Sequence, residues 1–147
     1  MFFGLVILFG IMGALRGWAK ELLVTFSVVL ARFIEYVSLL YVPVLNGYLS
    51  SLRDTDANAW FYVRVAMFTV LVSFGYATTV ISGRLGERAR KEQLQDTLLG
   101  LFLGAINGFL IVGSLWGFLD ALGYGIWGIT GPQTEGVQAI VDYLPPN

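Results

Sequence analysis

The stretch from Leu98 to Leu122 carries one charge, Asp120, in about 25 residues. As an α-helix it reaches about 37 Å, more than the roughly 30 Å hydrocarbon core of a bilayer, and a soluble domain has no use for so long an apolar run. Three further apolar runs precede it, at residues 2–15, 22–45 and 60–81. Charged residues make up 13% of the chain, against about 25% in a soluble domain, too few to cover a surface facing water. Mean hydropathy is +0.73. The pattern predicts an all-α polytopic membrane protein. Its four transmembrane helices lie within residues 1–122, and residues 123–147 form an extracytoplasmic tail too polar to cross again.

The first run is the shortest. Its residues reach only about 21 Å, so the expectation is a short helix with the bilayer thinned around it or Arg16 extending toward the headgroups. A cleaved signal peptide would carry its positive charge before the apolar region. Here nothing charged precedes Phe2, and Arg16 and Lys20 follow it. The segment "RGWAKE" (16–21) then reads as a tight turn. The second run ends near Pro43, and "NGYLSSLRDTDANA" (46–59), rich in Ser, Asp and Asn, reads as a loop. Residues 83–96 are densely charged, with Glu87 and Lys91, and Arg88 and Glu92, at i,i+4 spacing, which predicts an exposed helical connection.

Basic residues orient such a chain. In an alternating topology Arg16 and Lys20 share a side with Arg84, Arg88, Arg90 and Lys91, which is six of the nine Lys and Arg residues. The expected arrangement is a multi-pass protein of the cytoplasmic membrane with both termini outside.

Composition also limits chemistry. There is no cysteine and no histidine, which removes thiolate ligands, imidazole ligands and the base of a Ser-His-Asp triad. The serines and threonines of the spans, Thr25, Ser27, Thr69, Ser73, Thr78, Thr79 and Ser114, have no histidine base. No carboxylate pair within a span and no phosphate-cradling loop is present. The expectation is a protein that is not an enzyme, with no cofactor and no metal. A net charge of −1 gives no basic field for nucleic acid. The expected partners are the bilayer and other membrane proteins, or further copies of itself.

Three groups of residues remain as candidates. Gly100, Gly104 and Gly108 recur every fourth residue, with Gly113 and Gly117 after a one-residue slip. Such a stripe lets another helix backbone approach closely, inside the chain or from a partner. Asn107 beside it can hydrogen-bond across helices. Arg32, Glu35 and Arg64 are intramembrane charges, costly enough to demand either mutual pairing or a role in moving ions or solutes. Finally, Val137, Ile140, Val141 and Leu144 make a short apolar stripe in the tail, as expected of a helix lying on a membrane surface or docking to a partner.

The segment "GALRGWAKEL", with Arg16 and Gly17 followed by Glu21, and "DTLLGLFLGAINGFLIV", with Asp96, Leu99 and Gly100 and then Gly104 and Gly108, resembles the colicin V production protein family of bacterial inner-membrane proteins. The resemblance covers about residues 1–120. Thr97 and Asn107 stand where that family usually has arginines. It implies four spans, an outside C-terminus, and a link to colicin V production or export and to envelope homeostasis. It also implies a packing point in which Arg16 meets Glu21 or Asp96. From residues and resemblance together, the expected function is an assembly, scaffold or accessory subunit of a membrane complex. The alternative is a transport or export component with a polar path at Arg32, Glu35 and Arg64.

Overall fold

In a computed structural model the chain is all-helical among its described residues, 1–81, 93–126, 128–132 and 135–145. The helices are α1 (Phe2–Arg16), α2 (Trp18–Tyr41), α3 (Pro43–Thr55), α4 (Ala57–Ile81), α5 (Gln93–Ala121) and α6 (Glu135–Asp142). Three of them, α2, α4 and α5, are long and apolar enough to cross a membrane; α1 is apolar but, at 15 residues, shorter. Large apolar side chains cover much of the outer surface, including Phe26, Phe33, Phe74 and Phe102. Water does not tolerate an apolar surface of this extent, and lipid requires it.

The boundaries follow local chemistry. Gly17 alone separates α1 from α2, with φ 86° and ψ 154°, a backbone region that a side chain strongly disfavours. The turn expected over residues 16–21 is therefore one residue long, and α2 begins at Trp18 rather than Leu22. It ends at Tyr41 rather than Leu45, because Pro43 pushes Val42 to an extended conformation (φ −105°, ψ 96°).

The expected loop at 46–59 is corrected to a helix. Pro43 sits in the first turn of α3, where its fixed φ favours a start and its missing N–H costs nothing. Leu49 is buried while the Ser and Asp residues face outward. Asp56 then opens α4, its carboxylate accepting the N–H groups of Asn58 and Ala59 at 3.0 Å each, which moves the start of that helix to Ala57. The α5 helix takes in residues 93–96, which the sequence placed in the charged connection. The Glu87–Lys91 and Arg88–Glu92 pairs lie outside the described residues.

The chain divides into two compact units, Met1–Leu30 with Val70–Val112, and Ala31–Thr69 with Gly113–Asn147. In the first, α1 lies directly on the glycine stripe of α5. A Cβ on Gly104 would fall 2.5 Å from the Phe9 carbonyl oxygen and 2.8 Å from the Gly13 Cα, and one on Gly13 would collide with the Gly100 carbonyl oxygen. Only glycine permits backbones this close. Gly108 receives Phe9 and Val6 of the same helix. Val24 and Val28 of α2 are fully buried, and the Phe2 and Phe109 rings meet edge to face at 6.0 Å.

In the second unit Phe68 and Phe118 form an edge-to-face pair at 5.7 Å. Gly113 packs on Pro145 and Leu144 of the tail, and Gly117 is half-buried. The tail stripe is thus corrected in part: Val141 and Leu144 are buried within the protein, and Val137 faces outward. The tail is tied further by a hydrogen bond from the Trp116 indole N–H to the Tyr124 hydroxyl at 3.0 Å.

Candidate functional site

Each unit holds a buried polar cluster, and the two differ in charge balance. In the first unit Glu21 of α2 is 1% exposed, and a bare carboxylate at that depth would be prohibitive. Arg16, at the end of α1, donates to its Oε1 at 3.1 Å, and the Asn107 side-chain amide donates to its Oε2 at 2.8 Å. The same amide reaches the Glu21 carbonyl oxygen at 3.0 Å. The Thr25 hydroxyl lies 2.7 Å from Asn107 Oδ1 and 2.9 Å from the Glu21 carbonyl oxygen, and its single proton serves one at a time. Arg16 also donates to Thr79 and stacks on the Tyr76 ring at 4.6 Å.

This cluster is closed. One cation meets one anion, both carboxylate oxygens are used, and Asn107 spends both its amide protons and its oxygen. An amide at position 107, where the family resemblance leads one to expect an arginine, leaves Arg16 as the cation that meets the carboxylate among the described residues. Arg16 takes Glu21 of the two acids proposed for it. Asp96 instead accepts the Trp18 backbone N–H at 3.0 Å and lies against Gly17, where a Cβ would sit 2.9 Å from its oxygens. Asp96 therefore holds the first turn of α2 through its orphan N–H.

The second unit is built differently. Glu35 of α2 is 3% exposed and receives two guanidinium groups. Arg32, one helical turn before it, donates to Oε2, and Nε of Arg64 on α4 donates to Oε1 at 2.5 Å. Arg64 is 8% exposed and lies between two rings, with its guanidinium carbon 4.5 Å from the Trp60 centroid and 4.3 Å from that of Phe118. Arg32 meets the same Phe118 ring at 5.2 Å. Aromatic faces stabilise a guanidinium but leave its in-plane N–H groups free. Two cations thus share one anion, a net charge of +1 with Glu35 and Arg64 buried and Arg32 23% exposed along its side chain.

Sequence spacing brings Arg32 and Glu35 onto one face. Mutual pairing was one of two roles the sequence left open for Arg64, and it gave no sign of the rings that cover it. Phe118 and Thr79 carried no signal, since their contacts span 54 to 86 residues and 63 residues of chain respectively. Thr25 had one: it follows Glu21 by four residues, which puts both on one helix face. Among the described residues no group of three or more His, Cys, Asp or Glu side chains is placed to hold a metal.

No curated protein and no solved structure matches the chain. A family model does, over residues 1–127, and its described theme is colicin V production. That span takes in the glycine contact between α1 and α5, the Arg16–Glu21–Asn107 cluster and the Arg32–Glu35–Arg64 cluster. With its three apolar helices, this membrane protein belongs to the colicin V production protein family.

Proposed function

We propose that the protein is a non-catalytic accessory or scaffold subunit of a bacterial inner-membrane assembly, working through contacts between helices in the bilayer. The observation that carries this reading is the state of α1. The helix uses Gly10 and Gly13 against α5 but turns Phe3, Ile7, Leu8, Ile11, Met12 and Leu15 outward. Its 15 residues reach about 22 Å, roughly 8 Å short of a bilayer core, and association with another helix is one of the ways such a mismatch is relieved. A neighbouring chain lying along this face would cover it. The glycine stripe of α5 is already occupied by α1 and offers a partner nothing.

The basic residues support an orientation with both termini outside and the connections bearing Arg16 and Lys20, and Arg84 to Lys91, in the cytoplasm. A transport or export component is the second reading. The buried charge of Arg32, Glu35 and Arg64 favours it, and reconstituted vesicles tight to ions and small solutes would remove it.

The natural absence of cysteine makes the main test clean. Ile11→Cys and Phe26→Cys are introduced separately and cross-linked in native membranes, and the adducts are identified by mass. The proposal expects a defined adduct from Ile11→Cys and none from Phe26→Cys, which faces outward on α2. Failure of Ile11→Cys to cross-link, or equal diffuse products from both positions, refutes it.

A further inference from the structure

The second unit contains a charge that the described chain does not balance. Glu35 has given one oxygen to Arg32 and the other to Arg64. Nη1 and Nη2 of Arg64, and Nε and Nη2 of Arg32, have no hydrogen-bond acceptor among the described residues. The other acids of this unit are engaged or exposed. Asp56 caps α4, Asp120 interacts with Tyr124, Asp142 accepts from Gln138, and Asp54 and Glu135 are exposed. A guanidinium held among rings without its own anion is costly in low dielectric, and an oxyanion bridging two such groups removes that cost. The same unit also holds the Ser114 hydroxyl, 0% exposed and the sole buried side-chain polar atom without a partner among the described residues. It lies one helical turn from Phe118 on the same face of α5. Charge is balanced around Glu21 and unbalanced here.

We infer that Arg32 and Arg64 form a binding site for a phosphate oxyanion, taken from a lipid headgroup or from free phosphate. Three observations select this ligand. The unoccupied N–H groups belong to planar forks, which match two oxygens of one phosphate. Trp60 and Phe118 cover the faces of the Arg64 guanidinium and leave the ligand an approach along its edge. The depth is also right for a headgroup. Glu35 lies about 9 Å before the end of α2 and Arg64 about 10 Å after the start of α4, and α2 is itself about 6 Å longer than a bilayer core. Arg32, only 23% exposed along its side chain, can extend from this depth to the phosphate level. The site does not depend on the subunit reading given above.

The test uses the full-length protein in an uncharged detergent and follows thermal unfolding. Dioctanoyl phosphatidylglycerol and inorganic phosphate are titrated separately, with sodium chloride at matched ionic strength as the reference. Arg32→Gln is the informative variant, because it leaves Glu35 and Arg64 as a neutral one-to-one pair and so preserves the fold. The proposal expects saturable stabilisation of the natural protein, with an apparent affinity weakened by about tenfold or more in Arg32→Gln. Lys20→Gln, which removes a cation of the first unit with no ion pair among the described residues, should bind as the natural protein does. Stabilisation by the lipid alone assigns the phosphate to a headgroup, and stabilisation by both assigns the site to the oxyanion itself. If neither ligand raises the unfolding temperature above the chloride reference, or if Lys20→Gln weakens binding as much as Arg32→Gln, the inference is overturned.

Discussion

Asn107→Leu tests whether the cluster around Glu21 holds the first unit together. Leucine keeps asparagine's branched heavy-atom skeleton in a larger volume, so a packing cost adds to the loss of the hydrogen bonds. The largest loss is the amide donated to Glu21 Oε2 at 2.8 Å, a bond to a charged group worth about 1.5–3 kcal/mol. The other contacts are cushioned. The Glu21 carbonyl oxygen keeps its place in α2, and Thr25 can turn its proton to that oxygen at 2.9 Å. Polar contacts between helices in bilayers average about 0.6 kcal/mol and reach about 1.7, because the dissociated helices also find partners. Together these figures set the expected loss at no less than about 1.5 kcal/mol. Reversible unfolding in mixed micelles, followed by circular dichroism, measures it. Glu21→Gln is run alone and in combination, and the pair should couple by at least about 1 kcal/mol. Additivity within about 0.3 kcal/mol would show that Asn107 and Glu21 do not act on each other.

Two further outcomes follow from the same geometry. Gly104→Leu should cost at least about 2 kcal/mol and leave α1 open to proteolysis, whereas Gly4→Leu, which meets open space, should change stability by less than about 0.5 kcal/mol; equal effects would contradict the α1–α5 contact. Burial pushes the Tyr124 phenol up, against the smaller opposing effect of its Trp116 hydrogen bond, so its stabilisation is complete below the unfolded-state value near pH 10 and is lost as pH rises through the folded one. Tyr124→Phe should therefore lose stability less steeply than the natural chain between about pH 9 and 11, and parallel curves would place Tyr124 in water.

What could be read from the sequence depended on how far apart the interacting residues lie in it. The long apolar helices were legible because their length and lack of charge leave few alternatives. Arg32 and Glu35 were legible because a spacing of three residues fixes a shared helix face. The α3 helix was not. Its Ser, Asp and Asn residues have the composition of a loop, and only the start at Pro43 and the burial of Leu49 make it a helix. The glycine stripe announced close packing but named no occupant, since spacing on one helix says nothing of which backbone fills the groove. The two cations and one anion of the second unit were visible in the sequence, but the arrival of Arg64, 29 residues from Glu35, at the carboxylate that Arg32 already holds was only one of the outcomes it allowed.

The single residue between α1 and α2 also constrains how the protein is made. A connection of one glycine cannot let α1 settle while α2 is still emerging from the ribosome, so the two helices enter the membrane as one unit. The Asp96 carboxylate that takes the Trp18 N–H is synthesised more than seventy residues later, as is the glycine stripe that receives α1. Until α5 is translated, the short first helix depends on its link to α2 for its place in the bilayer. The order of synthesis therefore runs opposite to the order of dependence, and the last long helix completes the seat of the first.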